Sequence, residues 1–343
     1  MTIRFITMKD PHLSFGFQNN VRTAYEKHIS QKLDFIKSYC QENDIKNIIF
    51  TGDVFDSSTE DKWSFKKYRK NKRQLEKFTN SGIKLYSNVG NHDMFHGWES
   101  SDDTIFGEMV HDEILNNITE NPLIYSEDVG SVKIQGIDYS NESNVVEDAL
   151  RVFDEEYYPQ SKIYKVVVMH SNVTPRDEKI TDFTYANLVR DYPSIDMFIF
   201  GHYHVGYDTV VMQRENGKDC TLINNWNFTR VVRDYEVRLD EHTPEFEVVT
   251  ISIDAIYNTF ETVTETIKIP FVSYEEAFKL KEMDSLRKTK AEIFKFFEDF
   301  DIDVLKDDSK KDDDELIKKI VDTNDYSEQA YDKAVEYLNN AKG

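Results

Sequence analysis

Residues 83–93, Ile83-Lys84-Leu85-Tyr86-Ser87-Asn88-Val89-Gly90-Asn91-His92-Asp93, pass from a largely apolar run into a glycine and three polar side chains of the kinds that hold metals. The first part reads as a buried strand and the second as the loop at its carboxyl end. Four other places repeat the arrangement. Ile3 to Met8 leads to Asp10-Pro11-His12, Ile45 to Phe50 leads to Gly52-Asp53, Val166 to Met169 leads to His170, and Ile195 to Phe200 leads to Gly201-His202-Tyr203-His204. In open α/β sheets ligands collect beyond the carboxyl ends of the strands, so the five clusters predict one shared site along a common edge.

The residue types suit a pair of divalent metals. Asp10 and His12 lie two apart, as do His202 and His204, so in extended chain both members of each pair project from one side. Carboxylate and imidazole donors with one amide oxygen suit Mn²⁺, Fe²⁺ or Zn²⁺, and the absence of cysteine from the clusters argues against a structural thiolate zinc. Asp53 is the natural bridging carboxylate. A serine or cysteine nucleophile has no support: there is no Gly-x-Ser-x-Gly elbow, and Cys40 falls in a predicted amphipathic helix. Any one cluster alone reads equally well as a capped turn; five in this order do not. His28, His96, His111 and His242 lack such context and read as ordinary surface or core residues.

The ordered set D-x-H, G-D, G-N-H-D, H and G-H-x-H resembles the calcineurin-like metallophosphoesterase superfamily. Within it, the spacing, the length and the Gly52-Asp53-Val54-Phe55-Asp56 form look like the SbcD-type exonuclease subunit of bacteria and phages. The resemblance implies an α/β fold, a four-layer α-β-β-α sandwich of two mixed sheets flanked by helices, with a helical C-terminal appendage. It implies two divalent ions, Mn²⁺ first among them, one held by Asp10, His12, Asp53 and His204 and the other by Asp53, Asn91, His170 and His202. His92 is then the transition-state stabiliser or proton donor to the leaving oxygen, and Asp93 holds its ring. Two such metals, about 3.5–4 Å apart, activate a bridging water for in-line attack on a phosphodiester.

Asp56 stands where archaeal and eukaryotic relatives carry a histidine, and it matches the bacterial form. A substrate contact and an N-cap for a helix beginning near Ser58 are both open readings. The segment also lacks the arginine that follows Gly-Asp in Ser/Thr protein phosphatases. Just downstream, Trp63 to Arg73 is strongly basic with interleaved aromatics, and Lys66, Lys67, Arg69, Lys70 and Arg73 are candidate DNA contacts. The competing reading is a solvated helix face with its aromatics turned inward. A formal net charge of −22 sits uneasily with a DNA enzyme, so local charge has to carry any polyanion binding. Trp226 and Phe228, after the last motif, either stack on a base or close the core.

The 343 residues, 39% hydrophobic, suffice for one large core and an appendage. Two cysteines, Cys40 and Cys220, give no disulfide framework; with no signal-peptide stretch and no long apolar run, a cytoplasmic protein without a membrane span is expected. Residues 1–230 form the expected nuclease domain, with helices at Val21 to Glu42, Lys62 to Thr79, Val145 to Phe153 and Thr181 to Asp191. Residues 231–270 read as late strands, at Arg233 to Leu239, Glu245 to Ile253 and Thr259 to Ile269, completing the second sheet or forming a reduced cap. Residues 271–343 read as a helical, acidic tail opened by the capping box Ser273-Tyr274-Glu275-Glu276. By resemblance that tail docks on an SbcC-like coiled-coil ATPase; folding back on its own domain is the alternative. The resemblance also implies a homodimer, for which no residue pattern here speaks.

The expectation is thus an Mn²⁺-dependent DNA nuclease subunit, 3′-to-5′ on duplex ends and endonucleolytic on single strands. The alternatives are a stand-alone phosphodiesterase or phosphatase on a nucleotide or phosphoprotein, or a metal-stabilised scaffold without activity.

Overall fold

The structure, a computed structural model, describes residues 2–15, 24–56, 65–95, 100–128, 130–156, 162–229, 242–254 and 259–279. The predicted strand Arg233 to Leu239, the start of a helix near Ser58, Trp63, His96 and the tail helices beyond residue 279 lie outside them. The chain divides into two compact units, one of residues 1–18 and 24–272 and one of residues 19–23 and 273–343.

In chain order the first unit runs β1 (Thr2–Met8), α1 (Tyr25–Glu42), β2 (Asn47–Phe50), α2 (Phe65–Thr79), β3 (Lys84–Ser87), α3 (Ile105–His111), β4 (Asn116–Asn117), β5 (Leu123–Glu127) and β6 (Gly130–Ile137). It continues through α4 (Ser143–Glu155), β7 (Ile163–Ser171), β8 (Val173–Thr174), β9 (Phe183–Thr184), α5 (Tyr185–Asp191), β10 (Met197–His202), β11 (Tyr207–Gln213), β12 (Asp219–Asn224), β13 (Glu245–Asp254) and β14 (Thr259–Lys268). Two six-stranded sheets result, ordered β14-β13-β1-β2-β3-β4 and β11-β12-β10-β7-β6-β5. Both are mixed. Parallel pairs occupy the middle of each, while β13 and β14 in one and β5 and β11 in the other pair antiparallel.

The side-chain period of two sorts the apolar residues into layers. Ile3 and Phe5 of β1, Ile49 of β2, Val166 and Val168 of β7, Met197 and Ile199 of β10, and Val249 and Ile251 of β13 form one buried cluster between the sheets. Their alternates face outward onto helices. Ile6, Met8, Ile48 and Phe50 pack with Ile29, Leu33, Ile36, Leu75 and Phe78 of α1 and α2. Val167, Met169, Phe198 and Phe200 pack with Leu150, Phe153 and Leu188 of α4 and α5. Strands buried on both faces need near-continuous apolar runs, which is why the runs rather than simple alternation marked them in the sequence. The expected four-layer sandwich is what forms.

The late strands depart from expectation in their placement: β13 pairs with β1, Phe5 opposite Val249, so they extend the first sheet. Strands β4, β5, β6, β11 and β12 had no sequence signal of their own. In β6 and β7 lysines interrupt the apolar pattern, and both are buried by reaching the end of α4. Lys165 Nζ donates to the carbonyls of Phe153, Asp154 and Glu156 at 2.7–2.8 Å, and Lys133 Nζ to the Glu156 carboxylate. A cation there satisfies carbonyls that a helix end leaves open.

In the second unit the described helical turn Tyr274–Ala277 opens with the Glu276 N–H donating to Ser273 Oγ at 3.2 Å, the cap that the sequence signalled. No helix among the described residues is long and apolar enough to cross a membrane.

Candidate metal centre

Five loops meet at the carboxyl ends of β1, β2, β3, β7 and β10, and their backbone is unusual. Asp10 (φ 41°), His12 (φ 44°), Asp53 (φ 46°) and His202 (φ 83°) all lie in the left-handed region. There a non-glycine residue costs about 1–3 kcal/mol and persists only where neighbours over-determine it. They do. The His12 N–H donates to the Asp53 carbonyl at 2.9 Å, the His92 N–H to Asp53 Oδ1 at 2.8 Å, and the His202 N–H to Asp10 Oδ2 at 3.0 Å. Such close approach excludes side chains at two glycines. A Cβ on Gly90 would lie 2.2 Å from the Asp53 backbone nitrogen, and one on Gly201 would lie 2.2 Å from the Thr51 carbonyl.

Asp53 is the hub. Its Oδ2 stands 3.7 Å from His12 Nε2 and 3.3 Å from His170 Nε2, and His170 Nε2 is 3.2 Å from Asn91 Oδ1. His12 Nε2 and His204 Nε2 face one another at 3.0 Å, with Asp10 Oδ2 3.9 Å from the latter. Donor atoms of Asp10, His12 and His204 therefore converge on one point and those of Asp53, His170 and His202 on another, while His12, Asp53 and His92 form a third, overlapping group. The seven residues expected as ligands are all brought to this one place.

Burial sets the charge state. It pushes the His12 imidazole well down and, with His170 beside it, pushes His202 down to about 3, so both rings are neutral, the form that ligates. Burial alone would raise the Asp53 carboxyl, but His170, His12 and His92 hold it well below the usual carboxylate range. Burial likewise lowers His170, and the carboxylates of Asp53 and Asp10 more than reverse this, lifting it to about 9. Two imidazole nitrogens in direct apposition beside two fully buried carboxylates, with no sulfur donor, are what a pair of divalent cations would be held by; the donor set fits. The far nitrogen of His170 follows the rule for metal-bound histidine, since its Nδ1 donates to the Thr51 carbonyl at 2.7 Å.

The role expected of Asp93 needs correction. Its carboxylate does not hold the His92 ring; it accepts from the N–H groups of Val54, Phe55 and Gly90, each at 3.1 Å, and so ties the Gly-Asp loop to the Asn-His-Asp loop. Burial and Asp53 push that carboxyl up to about 8, with the three N–H donors pulling it back. The His92 ring is held instead through Nδ1, which donates to the backbone carbonyl of Asp56 at 2.6 Å. The Asp56 carboxylate lies on the other side of this turn, Oδ1 3.9 Å from His12 Nδ1.

On α2 the basic residues separate. Lys66, Arg69 and Arg73 are exposed on one face and Lys67 is half-buried. Lys70 is paired with Glu26 at 2.7 Å, and the neighbouring Lys72 and Lys77 pair with Asp112 and Asp34. Arg69 and Arg73 line an open groove of about 410 Å³ with Phe65, a residue 64% exposed, but Glu76 and Asp112 line it as well. Phe228 belongs to the core, and Trp226 stacks on His242 with ring centroids 5.1 Å apart. His28 is half-buried on α1 and His111 exposed at the end of α3.

Some residues of the site gave no sequence signal. Tyr139, after β6, packs its ring 5.0 Å from that of His202 and 6.0 Å from that of His170. Lys9 is buried and donates to Asn224 Oδ1 at 2.5 Å, while Thr229 Oγ1 donates to the Pro11 carbonyl at 2.6 Å. These contacts brace the Asp10-Pro11-His12 loop from the end of β12 and the segment after it.

Among curated proteins nothing matches the chain by sequence. Among solved structures it is similar to a 5′-nucleotidase precursor from Thermus thermophilus, at 11% identity and a TM-score of 0.46, covering 83% of this chain and 58% of that one. It is also similar to a putative 5′-nucleotidase from Staphylococcus aureus in complex with alpha-ketoglutarate, at 13% identity and a TM-score of 0.46, covering 80% of this chain and 55% of that one. The chain thus spans little more than half the length of either, and likenesses this remote say nothing about substrate. The calcineurin-like phosphoesterase family model matches residues 10–206, a span that opens on the first ligand of the centre, ends just past the last and takes in more than half of the chain. The chain belongs to the calcineurin-like phosphoesterase family.

Proposed function

We propose that the chain is a nuclease subunit of the SbcD type, hydrolysing DNA phosphodiesters with Mn²⁺ and working with an SbcC-like ATPase that docks on residues 271–343. The convergence of five strand-end motifs on Asp53 is the observation that carries phosphoester hydrolysis. Asp10, His12, Asp53 and His204 would hold one cation, and Asp53, Asn91, His170 and His202 the other. When bound, such a pair supplies an activated water and neutralises the phosphate. The chain's own residues do the rest. With Nδ1 of His92 engaged by the Asp56 carbonyl, Nε2 is the ring atom left to meet the ester, and as an imidazolium His92 donates a proton to the departing oxygen. Asp93 fixes the turn on which His92 sits, and the crossed hydrogen bonds of Asp53 and Asp10 keep the donors in place before any ligand arrives.

The exposed face of Lys66, Arg69 and Arg73 on α2 supports a polyanionic substrate. One observation favours the second reading, a stand-alone phosphodiesterase on nucleotides: Lys70, Lys72 and Lys77 are already neutralised by carboxylates of the same chain. One assay separates the two. Full-length protein with Mn²⁺ should degrade labelled linear duplex, and His92→Ala should do so about 10²–10⁴-fold more slowly while still binding Mn²⁺. Rapid turnover of a nitrophenyl phosphodiester with inert DNA would establish the second reading instead.

A further inference from the structure

We infer that Asp56 is a positioning residue of the metal centre, its carboxylate holding the ring of His12 and its backbone carbonyl holding that of His92. The starting observation is an orphan. His12 is 1% exposed, and its Nδ1 has no hydrogen-bond partner, whereas its Nε2 faces the donor atoms of His204 and Asp53. A histidine that ligates through Nε2 carries its proton on Nδ1, and a buried N–H with no acceptor is costly. The carboxylate to receive it stands 3.9 Å away, at Asp56 Oδ1. That side chain is 38% exposed, so a small rotation closes the gap without disturbing the core.

The backbone of Asp56 is already fixed. Its N–H donates to the Leu13 carbonyl at 3.2 Å, and next to it Phe55 forms a bridge with Leu13, one residue beyond His12. Its carbonyl accepts from His92 Nδ1. One residue therefore stands within reach of the far nitrogen of a ligand and accepts from the far nitrogen of the proton donor. A carboxylate behind a ligating imidazole fixes its tautomer and raises its basicity, and losing such a partner weakens metal affinity about 10–100-fold. The sequence left Asp56 as a substrate contact or a helix cap; the geometry points to the ring behind it.

The inference rests on the two-cation reading of the site, so the test measures metal directly. Mn²⁺ is titrated by calorimetry into full-length wild type, Asp56→Ala and Asp56→Asn, and each is melted without metal. Asp56→Ala should bind one of the two ions about 10–100-fold more weakly, and Asp56→Asn, whose amide oxygen still accepts, less than about tenfold more weakly. Both should melt like wild type, and at saturating Mn²⁺ the KM for bis-p-nitrophenyl phosphate should stay within about twofold. Unchanged Mn²⁺ affinity with a raised KM would make Asp56 a substrate contact, and a lowered melting temperature without metal would make it a structural cap; either overturns the inference. Wild type that binds no Mn²⁺ would overturn the two-cation reading and this inference with it.

Discussion

The strand-end centre and the basic helix α2 are joined by only a few residues of chain, yet they are built on opposite principles. At the centre Asp10, Asp53, His12 and His170 are buried and answer one another across the loops. On α2 the charges are at the surface, and three of its seven basic residues are answered by carboxylates from α1 and from the residue that ends α3. Burial makes the first region's chemistry strong and its geometry fixed. Exposure makes the second adjustable and weak, because surface pairs contribute only about 0–1 kcal/mol.

The largest expected effect belongs to the buried region. Two carboxylates raise His170 above the ordinary imidazole value, to about 9. That proton stabilises the metal-free fold below the ordinary histidine pKa, and the stability is lost as pH rises through about 9. A cation needs the neutral ring, so it must displace the proton. Mn²⁺ affinity should fall about tenfold per unit as pH drops from 8 to 6, with about one proton released per chain at pH 7, measured by calorimetry in buffers of different ionisation enthalpy. Affinity flat across that range would show that the two regions do not differ in this way.

A smaller effect is expected on the helix. Reversing Arg69 and Arg73 together to glutamate should flatten the salt dependence of duplex binding by about 2 in slope, with nitrophenyl ester turnover unchanged. An unaltered slope would leave α2 as a solvated face. Smallest of all, Lys70→Ala should cost about 0.2–1 kcal/mol in a denaturant melt and nothing in turnover, because its charge is spent on Glu26.

The same contrast explains what could be read from the sequence. The ligands Asp10, His12, Asp53, Asn91, His170, His202 and His204 were legible because each lies at or just beyond the carboxyl end of a buried strand, and parallel packing of those strands leaves their ends no other place to go. The layers were legible for the same reason. What was not legible depends on partners far apart in the chain. That Asp93 caps three N–H groups rather than His92, that Tyr139 lies against His202, and that Glu26 silences Lys70 are facts of loop approach, which no local pattern encodes. The pairing of β13 with β1 is of this kind too. Its residues announce a strand buried on both faces, but which edge receives it is decided by the whole sheet.

The central claim is that Asp53 joins two cations, and metal stoichiometry tests it most directly. Equilibrium dialysis against Mn²⁺, with metal analysis of the retained protein, should give two ions per wild-type chain. It should give fewer than two for Asp53→Asn, which should also lose hydrolysis of bis-p-nitrophenyl phosphate. Two ions bound by Asp53→Asn as tightly as by wild type, or none bound by wild type, would contradict it.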